Sequence, residues 1–194
     1  MAIINDGLST YHLSTGANRA YQPAKGNFFE FIIDDIPQLL KAGVEAEFAE
    51  ADDYITNAQE VIRLTVNRAS IPHFELADIS IRKGNSVVYY AGVPTFSEQT
   101  IELDDMIGAQ SKAVLEALKA RAYDISTDKG GRAIDYKFNA NLVEYTSDHV
   151  KVRGWKLIGC WIRSLQESDY NKEEDSLRRV SASVRCDRAI PEYY

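Results

Sequence analysis

The sequence predicts a mainly β fold, an antiparallel β-barrel or sandwich with one central helix. Three observations support this prediction. Several segments alternate apolar and polar residues with the period of two that is typical of half-buried strands. Two long strand-like segments, 149–165 and 177–189, end the chain. Residues 106–123 combine an apolar stripe at helical spacing with a candidate N-cap, Asp104 or Asp105.

The composition indicates one domain of ordinary size. A chain of 194 residues can bury its own core, and 45% hydrophobic with 26% charged residues is typical of a soluble globular protein. We expect a flexible arm over residues 1–26, which lack periodicity, and a single β domain over 27–194. No apolar run approaches membrane length, and the N-terminus lacks the basic-then-apolar pattern of a signal peptide. We therefore expect no membrane anchor.

The first part of the domain is predicted to hold two strands around a weak helix. Residues 27–33 form a short aromatic strand. Residues 36–54 have apolar residues at near-helical spacing, although Pro37 and Gly43 weaken that prediction. Residues 59–67 alternate cleanly and are predicted to be a strand that Pro72 ends. The apolar face of this strand would hold Ile62, Leu64 and Val66.

Short strands surround the central helix. Residues 76–82 and 86–90 are joined at Lys83-Gly84-Asn85, a plausible tight turn. Gly92 and Pro94 are predicted to break the chain before a strand over 95–103. The helix 106–123 would bury Val114, Leu115, Leu118 and Ala122, and after a loop over 128–132 the strand 136–145 would bury Tyr136, Phe138, Ala140 and Leu142.

The stretch 149–165 predicts assembly. Up to Gly154 it alternates as a half-buried strand, with Val150 and Val152 on one side. Beyond Gly154 it is apolar on both sides, and such a strand must be covered both by its own core and by a neighbour. One side would hold Trp155, Leu157 and Trp161, and the other Ile158, Cys160 and Ile162. We predict a subunit interface containing Trp155, Leu157, Ile158, Trp161 and Ile162.

The last strand, 177–189, carries the second of the two cysteines. Its apolar face would hold Val180, Ala182, Val184 and Cys186. Cys160 and Cys186 can approach each other if the two terminal strands pair. Buried free thiols in a reducing cytoplasm are favoured over a metal or redox pair.

The net charge of −7 is concentrated in one segment. Residues 34–60 hold eight acidic residues against the single base Lys41, so the remainder is neutral. A solvated acidic surface explains this simply. The sharper hypothesis is an insertion that makes ring-to-ring contacts or faces a lumen, through Glu45, Glu47, Glu50, Asp52 and Asp53.

Signals for chemistry are weak. His12, His73 and His149 are scattered, which gives a metal site little support. The aspartate doublets suit caps and loops better than acid/base pairs, and Lys129-Gly-Gly-Arg lacks phosphate-loop spacing. We predict no cofactor, no metal and no catalytic residue, and therefore no enzyme.

Several of these pieces, taken in order, resemble the tail tube proteins of tailed bacteriophages with contractile tails. The matching pieces are the aromatic strand 27–33, VIRLTVNRASIP, Tyr90-Ala-Gly-Val-Pro-Thr-Phe96, TIELDDMIGAQSKAVLEALKARAY and VKVRGWKLIGCWI, followed by a polar loop and the long last strand. The acidic segment departs from the pattern as an insertion. Tyr123 and Ile162 stand where tryptophan and proline are frequent.

This resemblance implies hexameric rings stacked into a hollow tube through which genomic DNA passes without specific binding. It also implies self-association, contacts with tail sheath, tape measure and baseplate proteins, assembly in the host bacterial cytoplasm, and residence in the virion. The type VI secretion tube shares the fold, so a related tube or a baseplate or tail-completion ring is an alternative. A more distant alternative is a soluble β-barrel that binds a ligand.

Overall fold

The computed structural model describes residues 26–36, 51–106, 110–170 and 177–194. Within them lie three helices and eleven strands. The helices are α1 (Ala51–Thr65), α2 (Gln110–Ala120) and α3 (Ala133–Tyr136). The strands are β1 (Phe29–Ile33), β2 (Val66–Ala69), β3 (Phe74–Lys83), β4 (Ser86–Phe96), β5 (Gln99–Asp104), β6 (Tyr123–Asp124), β7 (Lys129–Gly130), β8 (Phe138–Tyr145), β9 (Lys151–Glu167), β10 (Arg179–Arg185) and β11 (Arg188–Tyr193).

One antiparallel sheet forms the body of the molecule. Its order is β1-β8-β9-β10-β5-β2, and β11 also pairs with β9. The first and last strands of this order, β1 and β2, contact each other, so the sheet curls into a barrel-like body. The predicted mainly antiparallel β fold is confirmed.

Strand β9 is the longest element of this sheet. One of its edges pairs with β8, and the other pairs with β10 and then β11. Because β10 and β11 follow each other along that edge, the end of the chain forms one long antiparallel ribbon with β9. The predicted last strand is thus interrupted at residues 186–187.

The core lies between the sheet and two helices. Alternate residues of β1, β5, β8 and β10 are buried, and α1 and α2 add Ile62, Val114, Leu115 and Leu118. The buried faces predicted for α2, β8 and β10 are confirmed for every member except Ala122, which is partly exposed, and Tyr136, which ends α3. A small space in this core is lined by apolar side chains alone.

The strand predicted over 59–67 is wrong, because α1 runs through Thr65. Ala58, Ile62 and Thr65 are buried at helical spacing, whereas Leu64 is 74% exposed. The sequence alternates with a period of two over only a few residues, and burial against the barrel decides for the helix. Only residues 66–69 of this region form a strand. The helix-like segment 36–54 lies mostly outside the described residues.

The predicted break at Gly92 and Pro94 is also wrong, because β4 continues through both to Phe96. The partner strand β3 approaches Gly92 so closely that a Cβ there would lie 2.6 Å from the carbonyl oxygen of Ala77. The register shifts at this point, as in a β-bulge. Glycine permits the close approach, and Pro94 lies in a two-stranded ribbon in which an edge N–H needs no partner.

Smaller differences concern the loops. The predicted loop 128–132 begins in a short hairpin formed by β6 and β7. Val150 and Val152, expected on a half-buried strand, are both exposed. The Gly84-Asn85 turn between β3 and β4 is confirmed, with Gly84 at a φ of 62°. No helix among the described residues has the length and apolar character needed to cross a membrane.

Candidate assembly surfaces

The alternation of core-facing and outward-facing residues along β9 is interrupted at Gly159. This residue has a φ of 67°, a left-handed conformation that glycine adopts readily. Leu157 and Cys160 therefore both face the core although they are three residues apart, and Ile162 follows on the same side. The predicted sides are wrong because strict alternation cannot anticipate a bulge. Ile158 and Trp161 share the opposite, outward side.

Polar contacts hold this bulge in place. The Gly159 N–H donates to Asn139 Oδ1 at 3.2 Å, and the Asp187 N–H donates to the Ile158 carbonyl oxygen at 3.0 Å. Asp187 also accepts a hydrogen bond from Lys137 Nζ at 2.6 Å. The bulge is thus fixed by residues of the strands on both edges of β9.

Of the five predicted interface residues on β9, two are excluded. Leu157 and Ile162 are buried in the subunit's own core, at 1% and 3% exposure. Trp155 is partly buried against that core, with the Arg153 guanidinium 5.7 Å from its ring. An interface on this strand would have to use the outward side.

The outward side of β9 joins apolar and basic groups. Ile158 lies directly opposite Arg188, and Trp161 lies directly opposite Arg185. The Trp161 ring also meets the Tyr136 ring edge-on, with centroids 6.3 Å apart. Ile158 and Trp161 are partly exposed in this single chain. They remain the candidates for contact with a neighbour.

The predicted acidic surface lies largely outside the described residues. Glu45, Glu47 and Glu50 fall in the undescribed range 37–50. Asp52 and Asp53 lie in α1, but their side chains are not described. Its role at a ring contact or a lumen stays a prediction.

The length and the exposure of the β3–β4 hairpin are the features that sequence reasoning missed. The hairpin forms a separate two-stranded sheet of ten and eleven residues, and every residue of β3 is exposed. Two short strands and a turn were predicted here, but nothing in the sequence showed that they leave the body. The available signal was the number of apolar and aromatic residues in a segment without a helix to cover them.

The distal half of this hairpin has one apolar face. Residues directly opposite in an antiparallel pair lie on the same face. Ile79 is opposite Tyr90 and Ile81 is opposite Val88, and these four side chains are 37–50% exposed. The other face carries Asp78, Ser80 and Arg82 opposite Ala91, Tyr89 and Val87. An isolated two-stranded hairpin is marginally stable in water, so an apolar face of this kind needs a cover.

The main sheet also has unpaired strand edges. Among the described strands, β11 has β9 on one edge and no partner on the other. The part of β9 beyond Cys160 pairs with β10, and β8 ends its pairing at Cys160. Free edges of this kind are templates for pairing with another chain.

Chemical signals stay weak in the structure. Within the described residues, no group of three or more His, Cys, Asp or Glu side chains is placed to hold a metal ion. His73 contacts Ser97 Oγ at 3.1 Å, and His149 packs against Phe28 with ring centroids 6.3 Å apart. His12 lies outside the described residues. Burial raises the pKa of both the Cys160 and the Cys186 thiols, which disfavours a reactive thiolate.

Solved structures share this fold. A chain of the PVC sheath-tube complex, an extracellular contractile injection system in its extended state, gives a TM-score of 0.62 at 10% identity, with 97% of each chain covered. A chain of the tube-terminating cap of the anti-feeding prophage gives 0.63 at 10% identity, covering 94% of this chain and 99% of that one. The chain has a tail-tube fold.

A third structure extends the comparison to the end of such an assembly. A chain of the anti-feeding prophage baseplate gives a TM-score of 0.59 at 12% identity, covering 88% of this chain and 95% of that one. No family model matches the sequence, and no curated protein matches it. At these identities the likeness establishes the tail-tube fold that the order of motifs predicted, and function must be argued from this chain's own surfaces.

Proposed function

We propose that this chain is a structural virion protein that assembles as stacked, hexameric rings into the hollow tail tube of a phage. Its role is to form the conduit for DNA ejection, with no catalytic step. The single observation that carries the proposal is the β3–β4 hairpin, which projects from the body with an apolar face of Ile79, Ile81, Val88 and Tyr90. A second copy of the same chain is the natural cover, because a tube repeats every surface at every ring.

Two further features support self-association within a ring. The outward side of β9 presents Ile158 and Trp161, and β11 has a free edge within the described sheet. Pairing edges around a closed ring satisfies backbone groups that would otherwise invite aggregation. Obligate interfaces commonly exceed about 2,000 Å², which a ring can reach by joining these surfaces to the hairpin.

The negative net charge of the chain supports a channel that does not bind the DNA passing through it. The chain has a formal net charge of −7, and duplex DNA carries one negative charge per roughly 1.7 Å of its axis. A lumen of like charge lets DNA slide without specific binding. The proposal includes tail sheath, tape measure and baseplate proteins as partners, with assembly in the host bacterial cytoplasm.

The test is a pair of substitutions on opposite faces of the hairpin. Ile81→Glu puts a charge on the face formed by Ile79, Ile81, Val88 and Tyr90, whereas Ser80→Glu puts the same charge on the opposite face, between Asp78 and Arg82 on β3. Both residues are exposed, so both variants should fold. We expect wild type and Ser80→Glu to form rings and tubes by negative-stain microscopy and sedimentation. Ile81→Glu should remain as single subunits or unstacked rings.

Other outcomes assign other roles. A protein that forms one or two rings and stops, as wild type, is a baseplate or tail-completion ring protein. If Ile81→Glu formed tubes as well as wild type does, the apolar face of the hairpin would not be part of the subunit interface. A wild-type protein that stays a monomer at high concentration would contradict the proposal and favour a ligand-binding barrel.

A further inference from the structure

The two cysteines take opposed positions when the register of the long ribbon that ends the chain is extended across the gap between its two ladders. The β9–β10 register pairs Trp161 with Arg185, and the next step along both strands brings Cys160 opposite Cys186. The register is unchanged where β11 takes over, so no slip separates the two residues. They occupy the gap between the two ladders, at residues 186–187.

Both thiols face the core. Cys160 is 0% exposed and Cys186 is 4% exposed. The pairs on either side of them, Ile162 with Val184 and Leu157 with Ala189, also point inward. Two cysteines on the same face of opposed positions direct their side chains toward the same space, where the Cys186 thiol also contacts Gln99 Oε1 at 3.8 Å.

The geometry of such a pair fits a disulfide. Directly opposed residues in antiparallel strands have Cα atoms about 4.5–5.5 Å apart. Disulfides span Cα separations of about 4.4–6.8 Å. Both thiols are free in the structure. We propose that Cys160 and Cys186 form a modification site, a cross-strand dithiol that a small-molecule disulfide oxidises to an intrachain disulfide joining β9 to the last strand.

The reaction is thiol–disulfide exchange in two steps. One cysteine thiolate attacks the small disulfide, forms a mixed disulfide and releases one small thiolate. The second cysteine attacks the protein sulfur of that mixed disulfide, closes the intrachain bond and releases the second small thiolate. The two protons lost by the protein thiols go to the two released thiolates, so the protein is oxidised by two electrons and the reagent is reduced to two thiols.

Burial determines when this can happen. Burial raises the pKa of both thiols and keeps reagents away, so the closed body exchanges slowly. In this proposal the thiols react before β10 and β11 have paired with β9, while the chain is refolding. The disulfide would then link the C-terminal part of the chain covalently to β9, the strand that has partners on both edges.

The experiment refolds the full chain from denaturant with glutathione disulfide, followed by alkylation and trypsin digestion. The expected product joins the peptide LIGCWIR, which contains Cys160, to the peptide CDR, which contains Cys186. The oxidised chain should carry no disulfide to another chain and should be lighter than the reduced chain by two hydrogen atoms, and its Tm should rise by roughly 5–10 °C. Cys160→Ala and Cys186→Ala chains, treated in the same way, should give no joined peptide.

Three results would overturn the proposal. Both thiols could remain alkylatable after refolding with the oxidant. The oxidised material could consist only of mixed disulfides with glutathione, or only of dimers linked between chains. Each result would mean that the opposed positions do not bring the two sulfur atoms within bonding reach.

Discussion

At the scale of single residues, the conformation of Gly159 decides which side chains of β9 face the core and which face outward. Its φ of 67° puts Leu157 and Cys160 on one side of β9 and Ile158 on the other. A Cβ at this position would lie 2.3 Å from Asp187 Oδ2. The outward placement of Ile158 therefore depends on a residue without a side chain.

Gly159→Ala should destabilise the subunit by about 1–3 kcal/mol, because alanine is strained at positive φ and collides with Asp187. Urea unfolding measures the change. Gly130→Ala is the matched control, since nothing lies within 4 Å of a Cβ there, and it should change the free energy of unfolding little. If both substitutions changed the free energy of unfolding equally, the strained conformation and close contact assigned to Gly159 would be wrong.

A second prediction separates the two sides of β9. Leu157→Lys puts a charge into the core and should cost a few kcal/mol, enough to yield an unstable chain. Ile158→Lys puts the same charge on the outward side and should give a folded subunit that does not polymerise. Circular dichroism reports folding and sedimentation reports assembly. Tubes formed by Ile158→Lys would exclude this side of the strand from the interface.

At the scale of elements, α1 shows how a short alternating pattern misleads. Ile62 and Leu64 would share one face of a strand, but in the helix Ile62 is buried at 1% exposure and Leu64 points to solvent. Ala58 and Thr65 complete the buried stripe. The helix closes over the barrel next to β1 and α2, both of which it contacts.

The two residues therefore differ in their expected cost of truncation. Ile62→Ala should lower the free energy of unfolding by about 2–5 kcal/mol, because it leaves a cavity in the core. Leu64→Ala should change it by no more than about 0.5 kcal/mol in the free subunit. Chemical denaturation of the two variants under one set of conditions tests this. If both variants lost the same free energy of unfolding, Ile62 and Leu64 would share one buried face, as in the strand that the alternation predicted.

At the scale of the whole molecule, a polar cluster joins α1 to the main sheet. The Tyr145 hydroxyl on β8 donates to Glu30 Oε2 on β1 at 2.8 Å, and Arg63 of α1 pairs with the same carboxylate. Burial, the hydrogen bond to Glu30 and the charge of Glu30 together raise the pKa of Tyr145 to about 12. Three elements therefore meet at the Glu30 carboxylate.

The raised pKa gives a pH dependence with a definite sign. The folded state holds the Tyr145 proton more tightly than the unfolded chain, whose tyrosine titrates near 10.0. The stability that the proton supplies is therefore complete below pH 10 and is lost as the pH rises to about 12. Tyr145→Phe keeps the ring and removes the titration. We expect the stability advantage of wild type over this variant to shrink across that window, and a constant difference would contradict the cluster.

The sequence by itself determined the mainly antiparallel β class, the long strand β9 and most of the buried faces of α2, β8 and β10. These features are written in local periodicity, which burial on one face imposes on the residues themselves. The order of motifs also predicted the tail-tube fold. The helix at 51–65, the sides of β9 and the projection of the hairpin were decided by tertiary structure.

In each of those cases the deciding contact is remote in sequence. The helix forms because Ala58 and Ile62 pack in the barrel core. The side of β9 that faces the core changes at Gly159 because Asn139 and Asp187 hold the bulge in place. The hairpin is exposed because β3 and β4 pair only with each other and not with the main sheet. Local pattern specifies which side of a segment is apolar. Only the packed body decides whether that side meets its own core or is left for another subunit.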